Sequence, residues 1–501
     1  MRSYIKSTKT IRNFSIKDFC MHSFSARDYR ILSIKNNNIV ELVDLLERKV
    51  KVGKEIGSES YMKKSLHRFL KTANLSNNFL LDESSIEFCK PENKVFPKKN
   101  EILIAKDGGG GGLGEVALYP YCNKDNRDSL SAGIIAIKVK TEKHYYVLGF
   151  LKSQHFKDYI DLNTAQGSTI RHSKLIALQY KIPFPTINNN QKPQDVETLV
   201  SLIVQNIIDK EQQIKNKNTL IDDLIEEELQ TNQQQNSFSY SYPTINEIKE
   251  ETRLDTGLYE KEFKKMDFLI RNYENGFFKL LSKYEANRGN NLAISIIGES
   301  IYSETQKDNF YRLFTNVELS NDRTISNYRW LGNKNKLKLI PPKTIFLSAD
   351  GTVGRCIYLN DMGYTITNYH PWNINRIRKT ESEFEDVFVA MFLGFLYKKN
   401  FYEKIKDKAN GGGIKLNHLE RYIKIPNFPK YKQQEIAKEY YNPLGKNNIL
   451  TLQNYLEKEK ERNKNIGIFQ LNMEVFELKE RLSDLIHKII TEEKIEIVLD
   501  Y

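Results

Sequence analysis

The sequence predicts an α+β protein in which one mixed domain occurs twice, each copy being followed by long helices. Three observations support this fold class. Four blocks of residues recur in the same order about 244 positions apart. In each half, two β-rich runs flank an Asp-Gly turn, a pattern typical of a hairpin. After each half, apolar residues recur at steps of three, four or seven, which indicates helices that pack against a partner helix.

The duplication is carried by four pairs of matched blocks. First copy against second, they are 67–78 and 311–322, 101–119 and 344–359, 149–160 and 394–405, and 165–185 and 410–429. The first pair shares Leu-Ser-Asn and aligns Arg68 with Arg312, and the second aligns the Asp-Gly turns at Asp107 and Asp350. The third pair shares Gly-Phe-Leu and the fourth shares Lys-Ile-Pro. Four blocks in one order at nearly one spacing predict a duplicated domain.

Each half is predicted to contain a hairpin followed by a helix. The runs 101–105 and 344–348 are β-rich, and each ends in its Asp-Gly turn, which leads into a second β-rich run. Apolar residues at helical spacing then predict helices over 145–160 and 383–406. These elements make each half a mixed α+β domain.

The helix after the first half carries a heptad seam. The seam residues are Val200, Ile203, Ile207, Ile214, Ile221 and Leu224. Lys210 and Lys217 occupy two further seam positions, which suit a partner helix with acidic or long side chains. Since about 35 helical residues span roughly 50 Å, this helix is long enough to act as a spacer.

The helix after the second half is predicted to break near Asn442-Pro443 and Gly445 and then to resume. Its seam residues follow one another at alternating steps of three and four. They are Ile468, Leu471, Val475, Leu478, Leu482, Leu485 and Ile489. If the two long helices pair with each other in antiparallel fashion, they hold the two halves apart.

Length and composition restrict the class of protein. A chain of 501 residues has room for about three domains, and its 40% of hydrophobic residues suffices for more than one core. Lys and Arg number 76 against 64 Asp and Glu, so the net charge of +12 favours a polyanionic partner. The four cysteines form no CxxC pair and have no His cluster nearby, so we predict neither a zinc site nor disulfides and expect a reducing compartment.

Neither a membrane span nor a secretory signal is predicted. The longest apolar stretch, 387–397, covers about 11 residues, whereas a spanning helix needs about 20. The basic N-terminus is not followed by the apolar region that a signal peptide requires. We therefore expect a cytoplasmic protein.

At this point the chain resembles the specificity subunits of type I restriction-modification enzymes. The resemblance rests on the duplicated domain, the hairpins KDGGGGGLGEVALY and ADGTVGRCIYL, the AxGxxI block followed by Lys-Ile-Pro, and the run KIPNFPKYKQQEIA before the last helices. It covers about residues 50–490. The chain departs from the family pattern in its five-glycine run, 108–112, and in the absence of the QQEIA signature after the first domain.

The resemblance implies two target-recognition domains, separated by long helices that form an antiparallel coiled coil. The predicted segments are an N-terminal segment without a counterpart (1–48), target-recognition domain 1 (49–193), a central coiled-coil helix (194–235), target-recognition domain 2 (236–430) and a C-terminal coiled-coil helix (431–501).

The resemblance further implies a DNA-binding specificity subunit of a phage-defence system that is not itself an enzyme. Each domain would read one half of a bipartite double-stranded DNA target, across a gap that the helices set. Methyltransferase (modification) subunits would dock on the helices, and restriction/translocase subunits would join the complex. The alternative is the recognition subunit of a different restriction-methylation system, for example one cutting on both sides of its site, because only the partner subunits distinguish the two.

No catalytic, cofactor or metal site is predicted. Gly109, Gly111 and Gly114 match G-x-G-x-x-G, but 115–119 continue as a strand where a dinucleotide loop opens a helix. Glu115 stands where a P-loop requires Lys. The glycines then either permit positive φ in a hairpin or let the backbone approach DNA. A stand-alone methyltransferase would need an Asn/Asp-Pro-Pro-aromatic motif, which is absent.

Candidate DNA contacts are basic residues near the matched motifs, since Arg and Lys bind both phosphate and guanine. In the first domain they are Lys63, Lys64, His67, Arg68, Lys71 and Lys106. In the second domain they are Arg312, Arg323, Arg329, Lys334, Lys336 and Arg355. The equivalent positions of Arg68 and Arg312 fit a repeated structural ion pair equally well. Tyr328 and Trp330 are expected to pack in the core.

Overall fold

The computed structural model of the chain describes residues 9–11, 30–91, 95–109, 112–123, 127–165, 167–234, 237–251, 253–360, 363–367, 371–377, 383–407, 412–445 and 450–499, without the side chains of 9–11, 30, 31, 334 and 383. The contacts divide the chain into two compact units. Unit 1 comprises the described residues of Met1–Gln212, Gly445–Lys464 and Met473–Tyr501. Unit 2 comprises those of Gln213–Leu444 and Asn465–Asn472.

The strands of unit 1 are, in chain order, β1 (Lys9–Ile11), β2 (Arg30–Leu32), β3 (Ile39–Glu41), β4 (Lys51–Val52), β5 (Tyr61–Met62), β6 (Arg68–Leu70), β7 (Glu87–Cys89), β8 (Glu101–Ala105), β9 (Asp107–Gly108), β10 (Val116–Tyr119), β11 (Asp128–Leu130), β12 (Ile134–Ile137), β13 (Arg171–His172) and β14 (Lys181–Pro183). One sheet has the order β10-β8-β12-β4 and is antiparallel. The other has the order β11-β6-β7-β5, in which β11 and β6 are parallel. The pairs β1–β2, β13–β9 and β14–β3 complete the unit.

The helices are, in chain order, α1 (His144–Leu151), α2 (Gln154–Leu162), α3 (Pro193–Thr231), α4 (Ile245–Glu251), α5 (Lys261–Arg271), α6 (Leu280–Lys283), α7 (Ile294–Ile297), α8 (Glu383–Lys398), α9 (Phe401–Ile405), α10 (Leu416–Tyr422), α11 (Lys430–Tyr440), α12 (Tyr455–Asn465) and α13 (Ile468–Thr491). Short 3-10 turns are Leu42–Leu45, Ser58–Ser60, Thr72–Asn74, Thr141–Lys143, Ile176–Gln179, Thr256–Tyr259 and Lys334–Lys336. In the part of the chain that the structure describes, no helix has both the length and the apolar character that crossing a membrane requires.

The central strand β8 is buried along its whole length because both faces of its sheet are covered. Ile102 and Ile104 face a core that includes α1, α2 and α3. Leu103 and Ala105 alternate with them and face a second core that includes Leu70 of the other sheet. The continuous apolar run ILIA, residues 102–105, is therefore what a strand covered on both faces requires.

The two four-stranded sheets of unit 1 and its strand pair at the Lys-Ile-Pro motif recur in unit 2. Its strands are β15 (Phe277–Lys279), β16 (Tyr284–Asn287), β17 (Tyr302–Ser303), β18 (Tyr311–Phe314), β19 (Arg329–Leu331), β20 (Thr344–Ser348), β21 (Cys356–Leu359), β22 (Tyr364–Ile366), β23 (Pro371–Arg376) and β24 (Lys424–Pro426). The sheet orders are β21-β20-β23-β16 and β22-β18-β19-β17, with β22 and β18 parallel. The mixture of sheets and helices confirms the predicted α+β class.

Residues 39–45 form a strand and a 3-10 turn in unit 1. β3 pairs with β14, the strand of the Lys-Ile-Pro motif. In unit 2, β15 pairs in the same antiparallel manner with β24, which carries the second Lys-Ile-Pro motif. These residues, assigned from the sequence to an N-terminal segment without a counterpart, thus have a counterpart at 277–283.

Each helix predicted after a hairpin is divided in two. Ser153 begins α2, because its side chain accepts a hydrogen bond from the backbone N–H of Phe156 (3.2 Å). In unit 2, α8 ends at Lys398, and Asn400 at φ 59° turns the chain into α9. The helical spacing was correct, but a capping serine and a left-handed residue interrupt the helices.

In unit 1, α3 and α13 pack with opposite chain directions. Asn189, just before α3, donates to the carbonyl of Lys488 (3.0 Å), whereas Lys210 bonds Glu474 (2.6 Å). Seam residues of both helices share one core, namely Val200, Ile203, Ile207, Val475, Leu478, Leu482, Leu485 and Ile489. Because these apolar residues recur at steps of three and four, they lie on one face of each helix, and that face is buried in the core.

In unit 2, the remaining seam residues lie in the other large core, namely Ile214, Ile221, Ile468 and Leu471, with Leu224 packed against it. Lys217 pairs with Glu439 of α11 (2.6 Å). Because Lys210 and Lys217 are both buried and both contact acidic side chains, the prediction that such partners face the seam lysines is confirmed.

The Asp-Gly turns form the predicted hairpins, β8 with β10 and β20 with β21. Gly114 (φ 77°) and Gly354 (φ 98°) adopt the left-handed conformation that glycine permits. A Cβ on Gly109 would lie 2.5 Å from the carbonyl oxygen of Thr169, so this glycine allows close packing of two backbones. Gly111 lies outside the described residues.

Candidate nucleic-acid interface

In unit 1, three turns meet at the end of β6. The backbone N–H groups of Lys106 and Asp107 both donate to the carbonyl of Gly133 (2.8 and 3.3 Å). A Cβ on Gly133 would lie 3.0 Å from Thr72 Cγ2 and 3.5 Å from Asp107 Cβ. The fold therefore brings the predicted residues Lys71 and Lys106 into one region, although the sequence separates them.

The Asp107 carboxylate contacts a lysine and a histidine. Lys106 Nζ lies 2.8 Å from one oxygen, and His172 Nδ1 lies 3.0 Å from the other. His172 comes from β13, which pairs with β9 directly at the Asp-Gly turn. The side chain of His172 is 63% exposed, so it is an accessible basic residue that the sequence analysis did not select.

Arg68 forms a structural ion pair. Its Nε donates to Asp128 Oδ1 (2.7 Å), a second nitrogen bonds Asp128 Oδ2 (2.5 Å), and a third bonds Glu83 (2.7 Å). The hydrogen bonds that Arg68 donates to Asp128 raise the pKa of Arg68 further above its ordinary value. Asp128 is buried and also accepts a hydrogen bond from Tyr119 (2.6 Å). The structural ion pair, one of the two roles left open for Arg68, is therefore present, and a contact of Arg68 with DNA stays a prediction.

The loop between β5 and β6 presents basic and apolar side chains to solvent. Lys63 and Lys64 are exposed, and Leu66 between them and β6 is 71% exposed. His67 is half-buried, and its carbonyl accepts from the backbone of Cys89 (3.0 Å). Basic side chains on an exposed loop suit contact with phosphate.

Lys71 is more constrained than the lysines of that loop. Its ammonium bonds Glu87 (2.7 Å) and lies 4.6 Å from the centre of the Tyr61 ring. With 35% of its side chain exposed, it remains accessible at the edge of the loop.

In unit 2, Arg312 occupies the position of Arg68 but has different surroundings. Register pairs Arg68 with Asp128 in the parallel strands of unit 1, and Arg312 with Tyr364 in those of unit 2. Arg312 donates to the Tyr364 hydroxyl (2.8 Å) and lies 4.6 Å from the centre of the Tyr328 ring and 5.2 Å from that of Trp330. The bidentate carboxylate of the first copy is thus replaced here by a tyrosine at the same register position.

Tyr328 and Trp330 were expected in the core, and Trp330 is buried at 8% exposure. Tyr328 is half-buried.

The prediction that Arg323 contacts DNA is corrected, because its side chain is buried. It is 3% exposed, and its guanidinium donates to Asn218 (2.8 Å) and Asp222 (2.5 Å) of α3 and to the carbonyl of Met391 (3.3 Å). Arg323 also has a positive φ of 55°, in the left-handed region. Arg323 therefore fastens a loop to α3.

The other predicted residues of unit 2 differ in accessibility. Arg329 bonds the buried Glu318 (2.7 Å), and Arg355 bonds Asn321 (2.8 Å) and the carbonyl of Leu319 (2.7 Å), all three contacts being internal. Lys336 is exposed on the 3-10 turn Lys334–Lys336. The side chain of Lys334 lies outside the description.

One basic residue that the sequence analysis missed is Arg288, which lies at the second Asp-Gly turn. It pairs with Asp350 (3.4 Å), and its guanidinium lies 3.8 Å from the centre of the Trp372 ring. Because Asp350 is the counterpart of Asp107, a basic partner was to be expected, but Arg288 lies outside the matched blocks. Among the described residues, no group of three His, Cys, Asp or Glu side chains could hold a metal ion.

Comparison with known proteins gave structural neighbours only. No family model matches the chain, and no curated protein sequence matches it. The S subunit of a type I restriction-modification system from M. genitalium is 13% identical, with 93% of this chain and 98% of that chain covered and a TM-score of 0.39. The HsdS subunit from Thermoanaerobacter tengcongensis is 13% identical, with 90% and 96% covered and a TM-score of 0.26.

A third neighbour comes from work on complex assembly and conformational transition of the type I R-M system. It is 14% identical, with 91% of this chain and 96% of that chain covered and a TM-score of 0.27. These structural neighbours are type I restriction-modification proteins, the class that the sequence resembles.

Proposed function

We propose that this chain is the DNA sequence-recognition subunit of a type I restriction-modification complex. The observation that carries the proposal is the duplicated topology, in which each unit has the same two sheets with the same strand order and directions. Two copies of one module in a basic chain are what a bipartite DNA target requires, since each copy binds one half-site.

The residues that face DNA in this proposal are basic side chains that keep some exposure and are not bound to a buried carboxylate; Lys106 is the least exposed of them, at 17% of its side chain. In unit 1 they are Lys63, Lys64, Lys71, Lys106 and His172, and in unit 2 Lys336. Lysines on exposed loops bind phosphates and position a module, while neighbouring side chains read base edges. Arg68 and Arg323 are instead bound within the fold, Arg68 to Asp128 and Arg323 to side chains of α3.

The chain acts without catalysis of its own in this proposal. Methyltransferase subunits dock on the helices, and restriction/translocase subunits join the assembly. The exposed polar face of α12, which includes Lys460, supplies part of the surface for docking. The chain then determines where its partners act.

Methylome sequencing of a host before and after disruption of this chain, with its native partners present, tests the proposal. We expect the loss of one bipartite methylated motif, which also identifies both half-sites. Survival of every methylated motif, together with failure of the chain to co-purify with a methyltransferase, would contradict the proposal.

A matched pair of variants tests the interface. In the assembled complex, Lys63→Glu with Lys64→Glu is expected to weaken DNA binding at least tenfold, because two phosphate contacts become repulsive. Lys192→Glu makes the same type of change at an exposed site before α3 and should leave affinity nearly unchanged. Equal effects of both changes on affinity would show that the β5–β6 loop is not at the interface.

A further inference from the structure

The repeated Leu-Ser-Asn motif lies in a loop that contacts the long helices in each unit. Docking loop 1 comprises residues 76–80 of unit 1, and docking loop 2 comprises residues 320–325 of unit 2. Although basic residues close by were predicted to bind DNA, both loops form hydrogen bonds with side chains of the long helices, at Asn78 and Leu80 in docking loop 1 and at Asp322, Arg323 and Ile325 in docking loop 2. The loop that carries the motif therefore makes an internal contact.

Docking loop 1 is held from both long helices of unit 1. The buried backbone N–H of Leu80 donates to Glu211 of α3 (3.0 Å), and Glu211 pairs with Lys479 of α13 (2.9 Å). Lys479 also donates to the side chain of Asn78 (3.3 Å). A buried backbone N–H needs a partner, so the loop cannot leave α3 without losing this bond.

Lysines that follow the Gly-Phe-Leu motif of unit 1 hold the same loop. Lys152 Nζ donates to the carbonyls of Ser76 (2.7 Å) and Asn78 (2.8 Å), and Lys157 donates to the side chain of Asn77 (3.1 Å). Gly149 of the motif lets α1 approach α3, because a Cβ there would lie 3.1 Å from Val204.

Docking loop 2 is held at equivalent positions by different side chains. Asn472 of α13 accepts from the backbone N–H of Ile325 (3.0 Å) and donates to its carbonyl (3.2 Å). Asn218 of α3 donates to the carbonyl of Asp322 (2.8 Å) and accepts from Arg323 (2.8 Å). Gly394, the counterpart of Gly149, leaves room for Arg323, whose Nε would lie 2.7 Å from a Cβ there.

We infer that the two docking loops are positioning elements, which fix each mixed domain on the helices and thereby restrict the protein to one gap length between its half-sites. The inference rests on the proposed function. One base pair of gap moves a half-site by about 3.4 Å and rotates it by about 35°. A domain held by buried hydrogen bonds to two helices cannot follow such a shift, whereas a loosened domain can.

The experiment measures gap selectivity in the assembled complex of the full chain with its methyltransferase subunits. The substrate is a pool of duplexes that carry both half-sites at every gap length around the native one, and sequencing reports which duplexes become methylated. Glu211→Ala removes the acceptor of Leu80, and Asn472→Ala removes both bonds to Ile325. Asn417→Ala, at an exposed site on α10, is the matched control.

We expect wild type and Asn417→Ala to methylate one gap length. Glu211→Ala and Asn472→Ala should retain the half-site sequences and raise methylation at gaps one base pair longer or shorter at least tenfold. A single unchanged gap in both variants would overturn the inference, whatever their stability. Absence of any bipartite preference in the wild type would instead refute the proposed function, and with it the inference.

Two conservative variants apply where an alanine variant does not fold. Glu211→Gln keeps an acceptor for Leu80, and Asn472→Asp keeps an acceptor for Ile325 but loses the donor. Both should raise methylation at gaps one base pair longer or shorter by less than the alanine variants do. Amide hydrogen exchange should be faster at Leu80 or Ile325 but unchanged in β8. Faster exchange at the loop without relaxation of the gap would overturn the inference.

Discussion

At the scale of single residues, basic side chains with similar sequence contexts have different roles. Arg68 neutralises the buried Asp128, whereas Lys63 is exposed on a loop. Arg323 has a structural role like that of Arg68, since its guanidinium is buried and bound inside unit 2. Burial and partners therefore separate structural arginines from candidates for DNA contact, and a sequence does not report either property.

Arg68 and Lys63 should respond differently to replacement by methionine. Arg68→Met leaves the Asp128 carboxylate buried without its main partner, so we expect a loss of about 3 kcal/mol in the free energy of unfolding. Lys63→Met should leave stability unchanged and reduce the slope of log affinity against log salt by about 1. Thermal unfolding and fluorescence anisotropy at several salt concentrations measure the two effects. The reverse pattern would make Arg68 a DNA contact.

Glu474 links the stability of unit 1 to pH. Burial opposes its charge, but hydrogen bonds from Arg462 and Lys210 outweigh burial and lower the pKa of Glu474 from 4.5 to about 2. The stabilisation is complete above the unfolded-state pKa and is lost as pH falls toward about 2, because the unfolded chain then binds more protons than the folded one. The shift corresponds to about 3 kcal/mol.

Glu474→Gln removes this linkage. We expect the difference in melting temperature between wild type and Glu474→Gln to be largest near about pH 6 and to shrink as the solution is acidified toward about pH 3. Circular dichroism melts measure it. Glu480→Gln, at an exposed site on the same helix, should show no such trend. A pH-independent difference for Glu474→Gln would contradict the assigned pKa.

At the scale of elements, the helical seam of unit 1 contains a four-charge network, defined as Lys210, Glu459, Arg462 and Glu474. Lys210 bonds Glu474 (2.6 Å) and Glu459 (3.3 Å), and Arg462 bonds Glu474 (2.9 Å). All four residues are buried. Desolvation offsets much of the attraction in such a network, so its role in helix pairing is to specify the partner and the register.

Replacing one or all four charges distinguishes stability from specificity. Glu474→Leu alone leaves the two buried cations with Glu459 as the one remaining anion of the network and should cost about 3 to 5 kcal/mol. Replacing all four, with Met for the two cations and Leu for the two anions, should restore stability to within about 1 kcal/mol of the wild type. Analytical ultracentrifugation should then reveal self-association, because an apolar seam accepts more than one partner. A monomeric quadruple variant would contradict the specificity role.

The elements best predicted from the sequence are those whose apolar residues recur at a regular spacing. The seams around Ile203 and Leu478 were predicted because heptad spacing buries one face of a helix whatever lies opposite. The strand β3 was missed because its residues, Ile-Val-Glu, share no identity with Phe-Phe-Lys in β15, and only the pairing with Lys-Ile-Pro reveals the match. Three-residue strands carry too little pattern to be recognised alone.

The candidate site was less predictable than the fold because it depends on contacts between distant residues. Lys71 and Lys106 lie in one region because Gly133 lets the turns beside them approach each other. In the sequence, nothing distinguishes Arg323 from other basic residues near a motif. In the fold, Asn218 binds its guanidinium and Gly394 leaves space for it, so the side chain is buried. Motif spacing predicts which elements recur, but the burial of a side chain depends on what the rest of the chain places around it.

At the scale of the whole molecule, the repeated topology predicts that binding to DNA is bivalent. A duplex with both half-sites should bind the assembled complex about 100- to 10,000-fold more tightly than a duplex with either half-site scrambled. Both duplexes carry the same number of phosphates, so the non-specific electrostatic contribution cancels in this ratio. Fluorescence anisotropy at about 0.15 M salt measures it. The proposed function, in which each unit reads its own half-site, predicts that scrambling either half-site reduces affinity. An effect from one half-site alone would mean that one of the two repeated domains does not read DNA.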